Sequence, residues 1–159
     1  EDFIFLCISG RKQYNRLKII MRSKKLQRKT KLMDFIPPWR IPGVLKRSTC
    51  VVIPEREFPI ASHTPILPRE AMCVGRCTLL SEEIYRKCTY KDAEDGLHTL
   101  VTNPKDLESF SSTLKRIINE PDIALEIGKA AAALARKNED FPGYISDNIE
   151  LYKRILDSE

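Results

Sequence analysis

A chain of 159 residues with 42% hydrophobic and 31% charged content can bury a core without staples and has the composition of a globular protein. Its longest apolar runs, FIFLCISG (3–10) and CVVIP (50–54), are of strand length, so no bilayer-spanning helix is expected. The net charge of +5 is unevenly spread: residues 3–33 hold ten Lys and Arg and no acid, leaving the remainder acidic overall.

FIFLCISG reads as a buried strand closed by Gly10. A basic amphipathic helix follows, with Tyr14, Leu17 and Ile20 or Met21 recurring on one face. KTKLMDFI (29–36) reads as a second strand, stopped by Pro37 and Pro38. RIPGVLKRS (40–48) suits a short helix and TCVVIP (49–54) a third, fully apolar strand. RCTLLS (76–81) and LHTLVT (97–102) are two more strand candidates, the second carrying His98.

The last third is helical. Asn103 is the expected N-cap with Pro104 in the first helical position, and Leu107, Phe110, Leu114, Ile117 and Ile118 mark one face. Pro121 restarts the chain into a helix marked by Ile123, Ile127, Ala131 and Leu134. Phe141-Pro142-Gly143 breaks it, and Ile145, Ile149, Tyr152 and Leu156 mark the final one. Short apolar strands alternating with helices predict an α/β fold with a Rossmann-like parallel sheet flanked by helices. In such sheets ligands sit at the carboxyl ends of the strands, here the loops around 10–12, 36–40 and 54–68.

The third of these loops is the longest, and Pro68 suits the first turn of the helix it enters. Such a helix start favours an anion. Glu70, in the same turn, has two readings from the local residues: a favourable terminal charge, or a carboxylate reaching the cleft to accept from vicinal hydroxyls. Cys73 and Cys77 lie four apart, but no paired His or Cys at ligand spacing supports a metal site, and none is expected. Five cysteines without dense spacing imply reduced thiols and a cytoplasmic setting, and EDF at the start offers no basic region for a secretory leader.

The stretch CVVIPEREFPIASHTPILPREAMCVG (50–75) resembles the signature region of GT-B glycosyltransferases of the family 4, or group 1, type. There a strand ending in Pro-Ser leads into E-x-F-G-L-x-x-x-E-A-M-A-x-G, and PREAMCVG (68–75) is similar to its second half. The similarity continues in order along the chain: LMDFIP (32–37) against F-x-G-F-V-P, CTLLS (77–81) against V-V-A-S, and EDGLHTLVTNPKD (94–106) against E-D-G-x-N-G-x-L-V-x-P-x-D.

The resemblance implies that residues 1–159 form the nucleotide-sugar-binding, C-terminal half of a GT-B fold, holding a nucleotide-diphosphate sugar as donor, with no cofactor or metal. It implies ribose binding by Glu70 and a diphosphate and sugar cradle from the amides of Thr64, Ile66 and Leu67. The base would contact Phe35, Ile36 and Pro37. His63 lies inside the same loop, and Arg11 and Lys12, at a strand's carboxyl end, are candidate phosphate contacts.

The chain departs from the pattern at Ser62, where the family has its first glutamate, and at Pro65, where it has a glycine with a free N–H. The glycine after the V-V-A-S strand is replaced within EEIYRK (82–87). The family's opening strand, with its Arg and Lys, has no counterpart, and neither does the acceptor domain. The expected partners are therefore a nucleotide sugar and an acceptor domain of the same full-length protein, and the fragment alone is expected to be inactive. The basic segment 11–31 leaves three readings: a solvated face, peripheral attraction to anionic membrane, and, ranked last, nucleic acid. The alternative to a hexosyl-transferring enzyme is a non-catalytic or degenerate α/β binding module whose basic face, 11–31, docks on anionic membrane or nucleic acid.

Overall fold

Five short strands, all parallel, carry the described part of the chain, which in this computed structural model comprises residues 3–58, 65–87 and 90–157, less the side chains of 11, 12 and 24. β1 (Phe5–Ile8) pairs with β2 (Thr30–Met33), Phe5 opposite Thr30. β3 (Cys50–Ile53), β4 (Cys77–Ser81) and β5 (Leu100–Thr102) form a second sheet in that order. Cys50 lies opposite Cys77, and Leu79 opposite Leu100.

Parallel pairing demands crossovers, and the sequence supplies helices for them. α1 (Arg11–Ile20) and α2 (Lys24–Lys29) join β1 to β2. A 3-10 turn, Pro38–Arg40, and α3 (Ile41–Leu45) lead to β3. α4 (Leu67–Cys73) leads to β4, and α5 (Glu82–Arg86) towards β5. α6 (Leu107–Asn119), α7 (Pro121–Asn138) and α8 (Phe141–Leu156) follow.

The core lies around β4, every residue of which is buried. Ala124, Ile127, Ala131, Leu134 and Ala135 carry α7 onto β4 and α4, as their helical spacing predicts. The close approach is set by two glycines. Gly75 ends α4 at φ +72°, with Arg76 N–H donating to the Ala71 carbonyl and Gly75 N–H to that of Met72, a Schellman closure. Gly128 of α7 lies against it: a Cβ there would stand 2.3 Å from the Gly75 carbonyl oxygen.

Four expectations are corrected. β1 is not a buried strand: Phe5, Leu6 and Ile8 stay exposed, because among the described residues β1 is hydrogen-bonded to β2 alone. α6 is capped by Asp106, whose Oδ1 accepts from Ser109 N–H at 3.0 Å. Asn103 instead closes a turn around Pro104 by accepting from Lys105 N–H. Leu107 is accordingly exposed, while Ile117 is buried. His98 lies in the turn before β5, not in a strand, its Nδ1 accepting from Glu94 N–H at 3.2 Å. The predicted faces of α7 and α8 fared differently, for Ile145, Ile149, Tyr152 and Leu156 of α8 are all exposed.

Candidate functional site

The strands are parallel within each sheet, so the loops leaving their carboxyl ends share one side of that sheet. After β1 comes Gly10 and the start of α1 at Arg11 and Lys12, whose side chains are outside the described residues. After β2 come Phe35, which is exposed, Ile36, which is buried, and Pro37, half-buried before the 3-10 turn. Ile36 is thus turned into the core, while Phe35 and Trp39 are both largely exposed.

The loop after β3 carries most of the candidate residues. Ser62, His63 and Thr64 lie outside the described residues. Ile66 is exposed as N-cap of α4, Leu67 is its first residue, and Pro68 is buried at the second position. Pro68 has no N–H to leave unpaired there. Glu70 falls in that first turn and is exposed, its amide donating to the Ile66 carbonyl at 3.1 Å.

Two networks that local sequence patterns did not single out flank this loop. The first belongs to the end of β4 and the start of α5. Ser81 Oγ caps α5 by accepting from Ile84 N–H at 3.1 Å, and donates to the Glu55 carbonyl. Glu83 turns its carboxylate to the same loop, accepting from the backbone N–H of Glu57 and, at 3.1 Å, from that of Phe58. Lys87 Nζ lies 2.8 Å from Glu83 Oε1, and this cation, with the two amides, holds the Glu83 carboxyl below the usual carboxylate range. Glu57 sits at φ +55° and pairs through its side chain with Lys105. Ser81 was legible as a cap, from Ser-Glu-Glu ahead of an apolar residue; its reach to Glu55, 26 positions back, was not.

The second network fixes the far side of α4. Arg69 Nε donates to Glu139 Oε1 at 3.1 Å, Tyr90 Oη donates to the same oxygen at 2.8 Å, and the Arg69 guanidinium lies 5.5 Å from the Tyr90 ring centre. The Arg69 guanidinium holds the Glu139 carboxyl below its ordinary range, while burial pushes the Tyr90 phenol up. Arg69 thus faces the end of α7, and its neighbour Glu70 is left on the exposed side of the turn. No group of His, Cys, Asp and Glu among the described residues is arranged to hold a metal ion, and Cys73 and Cys77 fall on different elements, the end of α4 and the start of β4.

Comparison with known proteins bears on this arrangement. Residues 2–134 match the family model described as glycosyl transferases group 1, which spans all five strands and the three loops. No curated protein matches the chain. Among solved structures, sucrose-phosphate synthase from Thermosynechococcus elongatus superposes with a TM-score of 0.76 at 15% identity, over 97% of this chain and 39% of its own. A glycosyltransferase from Rickettsia africae ESF-5 gives 0.73 at 16% identity, over 100% and 41%. Anabaena Alr3699/HepE in complex with UDP-glucose gives 0.71 at 15% identity, over 97% and 41%. The chain thus spans about two fifths of the length of the structures that share its fold.

Proposed function

We propose a donor-binding role for this chain, which belongs to the glycosyl transferases group 1 family: it holds a nucleotide-diphosphate sugar while the glycosyl group passes to an acceptor. The observation that carries the reading is that the family match runs unbroken through every strand and every loop at their carboxyl ends. Glu70, exposed beside that loop, accepts from the ribose hydroxyls; the amides at Thr64, Ile66 and Leu67 face the diphosphate; and Phe35, Ile36 and Pro37 border the base. Arg11 and Lys12 supply positive charge to the phosphates.

The chemistry asked of such a site is electrostatic. The bond from the anomeric carbon to the diphosphate oxygen breaks, a bond to an acceptor oxygen forms, and the acceptor proton leaves. Donors fixed in advance around the diphosphate stabilise the departing charge, without a protein nucleophile or a metal. Transfer of a hexose is the form we assign. The acceptor is held by a further domain of the full-length protein, and the exposed apolar residues Ile145, Ile149, Tyr152 and Leu156 of α8 suit a face that such a domain covers.

Uridine diphosphate is the first probe, since one structure of this fold holds a UDP-sugar. Titrated into the full-length protein by calorimetry, it should bind wild type and bind Glu70→Ala about tenfold or more weakly, the loss of hydrogen bonds to a charged group. Equal affinities would remove Glu70 from the site, and no binding of uridine, guanosine or adenosine diphosphate would end the donor reading.

A second property rests on a separate observation. Arg16, Lys18, Arg22, Lys25 and Arg28 are exposed, and so are Ile19, Ile20 and Leu26, within a segment that has no acid. Basic side chains around exposed aliphatic ones suit peripheral docking on an anionic bilayer. Sedimentation with vesicles containing phosphatidylserine, but not with phosphatidylcholine alone, is expected, and Lys25→Glu with Arg28→Glu should abolish it. Sedimentation with neither vesicle would leave this face as a solvated one, and binding that ignores vesicle charge would overturn its electrostatic basis.

A further inference from the structure

We infer that Glu83 is a positioning residue for the loop after β3, fixing residues 55–58, the first part of that loop, against the start of α5. The inference rests on the donor-loop reading above and adds to it a residue from a different strand's loop.

The geometry is that of a clamp. Two successive backbone amides, Glu57 and Phe58, converge on one carboxylate that lies 26 and 25 positions away in sequence. Both are charge-assisted bonds, of a kind stronger than neutral ones. Ser81 grips the same loop one step earlier, through the Glu55 carbonyl. Lys105 takes the Glu57 side chain, and Lys87, already bonded to Glu83, lies 6.0 Å from the Phe58 ring centre. Glu57 occupies the left-handed region at φ +55°, which a residue with a Cβ adopts at a cost and keeps only where its surroundings hold it.

A simpler role for Glu83 is a favourable charge in the first turn of α5, which Glu82 shares. That role requires no contact with the preceding loop, and Glu82 makes none of those given for Glu83, pairing with Arg86 at 3.7 Å. Glu82 is therefore the control. The family resembled by this sequence carries a glycine in this region, and the chain has Glu82 and Glu83 there. A loop that presents backbone amides to a leaving diphosphate is effective only if it is set in advance, and the clamp from the neighbouring strand end fixes its first residues, 55–58.

The test combines amide hydrogen exchange over residues 54–58 with uridine diphosphate titration, in the full-length protein. Glu83→Ala should speed exchange at Glu57 and Phe58 about tenfold or more and weaken the nucleotide to a similar degree, while Glu82→Ala leaves both near wild type. Glu83→Gln, which keeps one acceptor oxygen, should fall between. Unchanged exchange in Glu83→Ala overturns the clamp. Faster exchange with unchanged nucleotide affinity overturns the positioning role and leaves a merely structural one. If wild type binds no nucleoside diphosphate, the donor reading fails separately, and positioning for a donor fails with it. The exchange comparison still decides whether Glu83 holds the loop.

Discussion

Glu139 ends α7 with its carboxylate shared by Arg69 and Tyr90, both far upstream, and this gives one residue a legible pH dependence. Its pKa is depressed in the folded state by Arg69. The stabilisation is therefore present above the ordinary carboxylate pKa, about 4.3, and fades as the pH falls through the lower folded value. With both side chains about two fifths exposed, solvent screens the pair. Glu139→Gln should accordingly lose only a few tenths to about 1 kcal/mol in urea denaturation at pH 7, and the difference should shrink as the pH falls below the ordinary carboxylate range. A second residue-scale expectation concerns the thiols. Cys73 is exposed, Cys50 half-buried and Cys77 buried, and the hydrogen bond to Cys77, with burial, pushes the Cys50 thiol up. Mass spectrometry after brief alkylation at pH 8 should find Cys73 modified before Cys50, with Cys77 labelled only on unfolding.

Among the elements, α4 and α7 meet where glycine faces glycine. Gly128→Ala places a methyl group 2.3 Å from the Gly75 carbonyl oxygen, on backbone that cannot swing aside as a side chain would. The cost should be about 1–3 kcal/mol, read as a lower urea midpoint with the slope unchanged. At the start of α5, Ser81 is buried and serves both Ile84 N–H and the Glu55 carbonyl. Ser81→Ala should cost about 1 kcal/mol as a lost cap and, because it also frees the Glu55 segment, should raise exchange there as well as in α5. These elements show what pattern reading resolves. The helical repeat of Ile123, Ile127, Ala131 and Leu134 found the buried face of α7, since a helix against a sheet must turn its apolar stripe inward. The same repeat in α8 marked an exposed face, since periodicity gives an amphipathic helix but not what covers it.

At the scale of the molecule the parallel sheet is in two parts, β1–β2 and β3–β4–β5, and burial follows that division. Among the described residues every buried hydrophobic one lies between Ile36 and Ala135, and none is in β1 or β2. Segments with few buried contacts open at low free energy. Backbone amides of β1 and β2 should thus exchange far sooner than those of β4, whose exchange should follow global unfolding. Equal protection across both sheets would contradict this division. The sequence by itself determined the α/β class, the parallel alternation and the family, because strand length, helical period, proline placement and the order of PREAMCVG among its neighbours are all local or ordered signals. It also brought Pro68 and Glu70 to one helical turn. Only the tertiary structure decided which apolar runs are covered, that Asp106 and not Asn103 caps α6, and that Glu83 and Glu139 reach Phe58 and Arg69 across 25 and 70 positions. Such contacts depend on which loops and helices the fold lays side by side, a distance in space that no local spacing encodes.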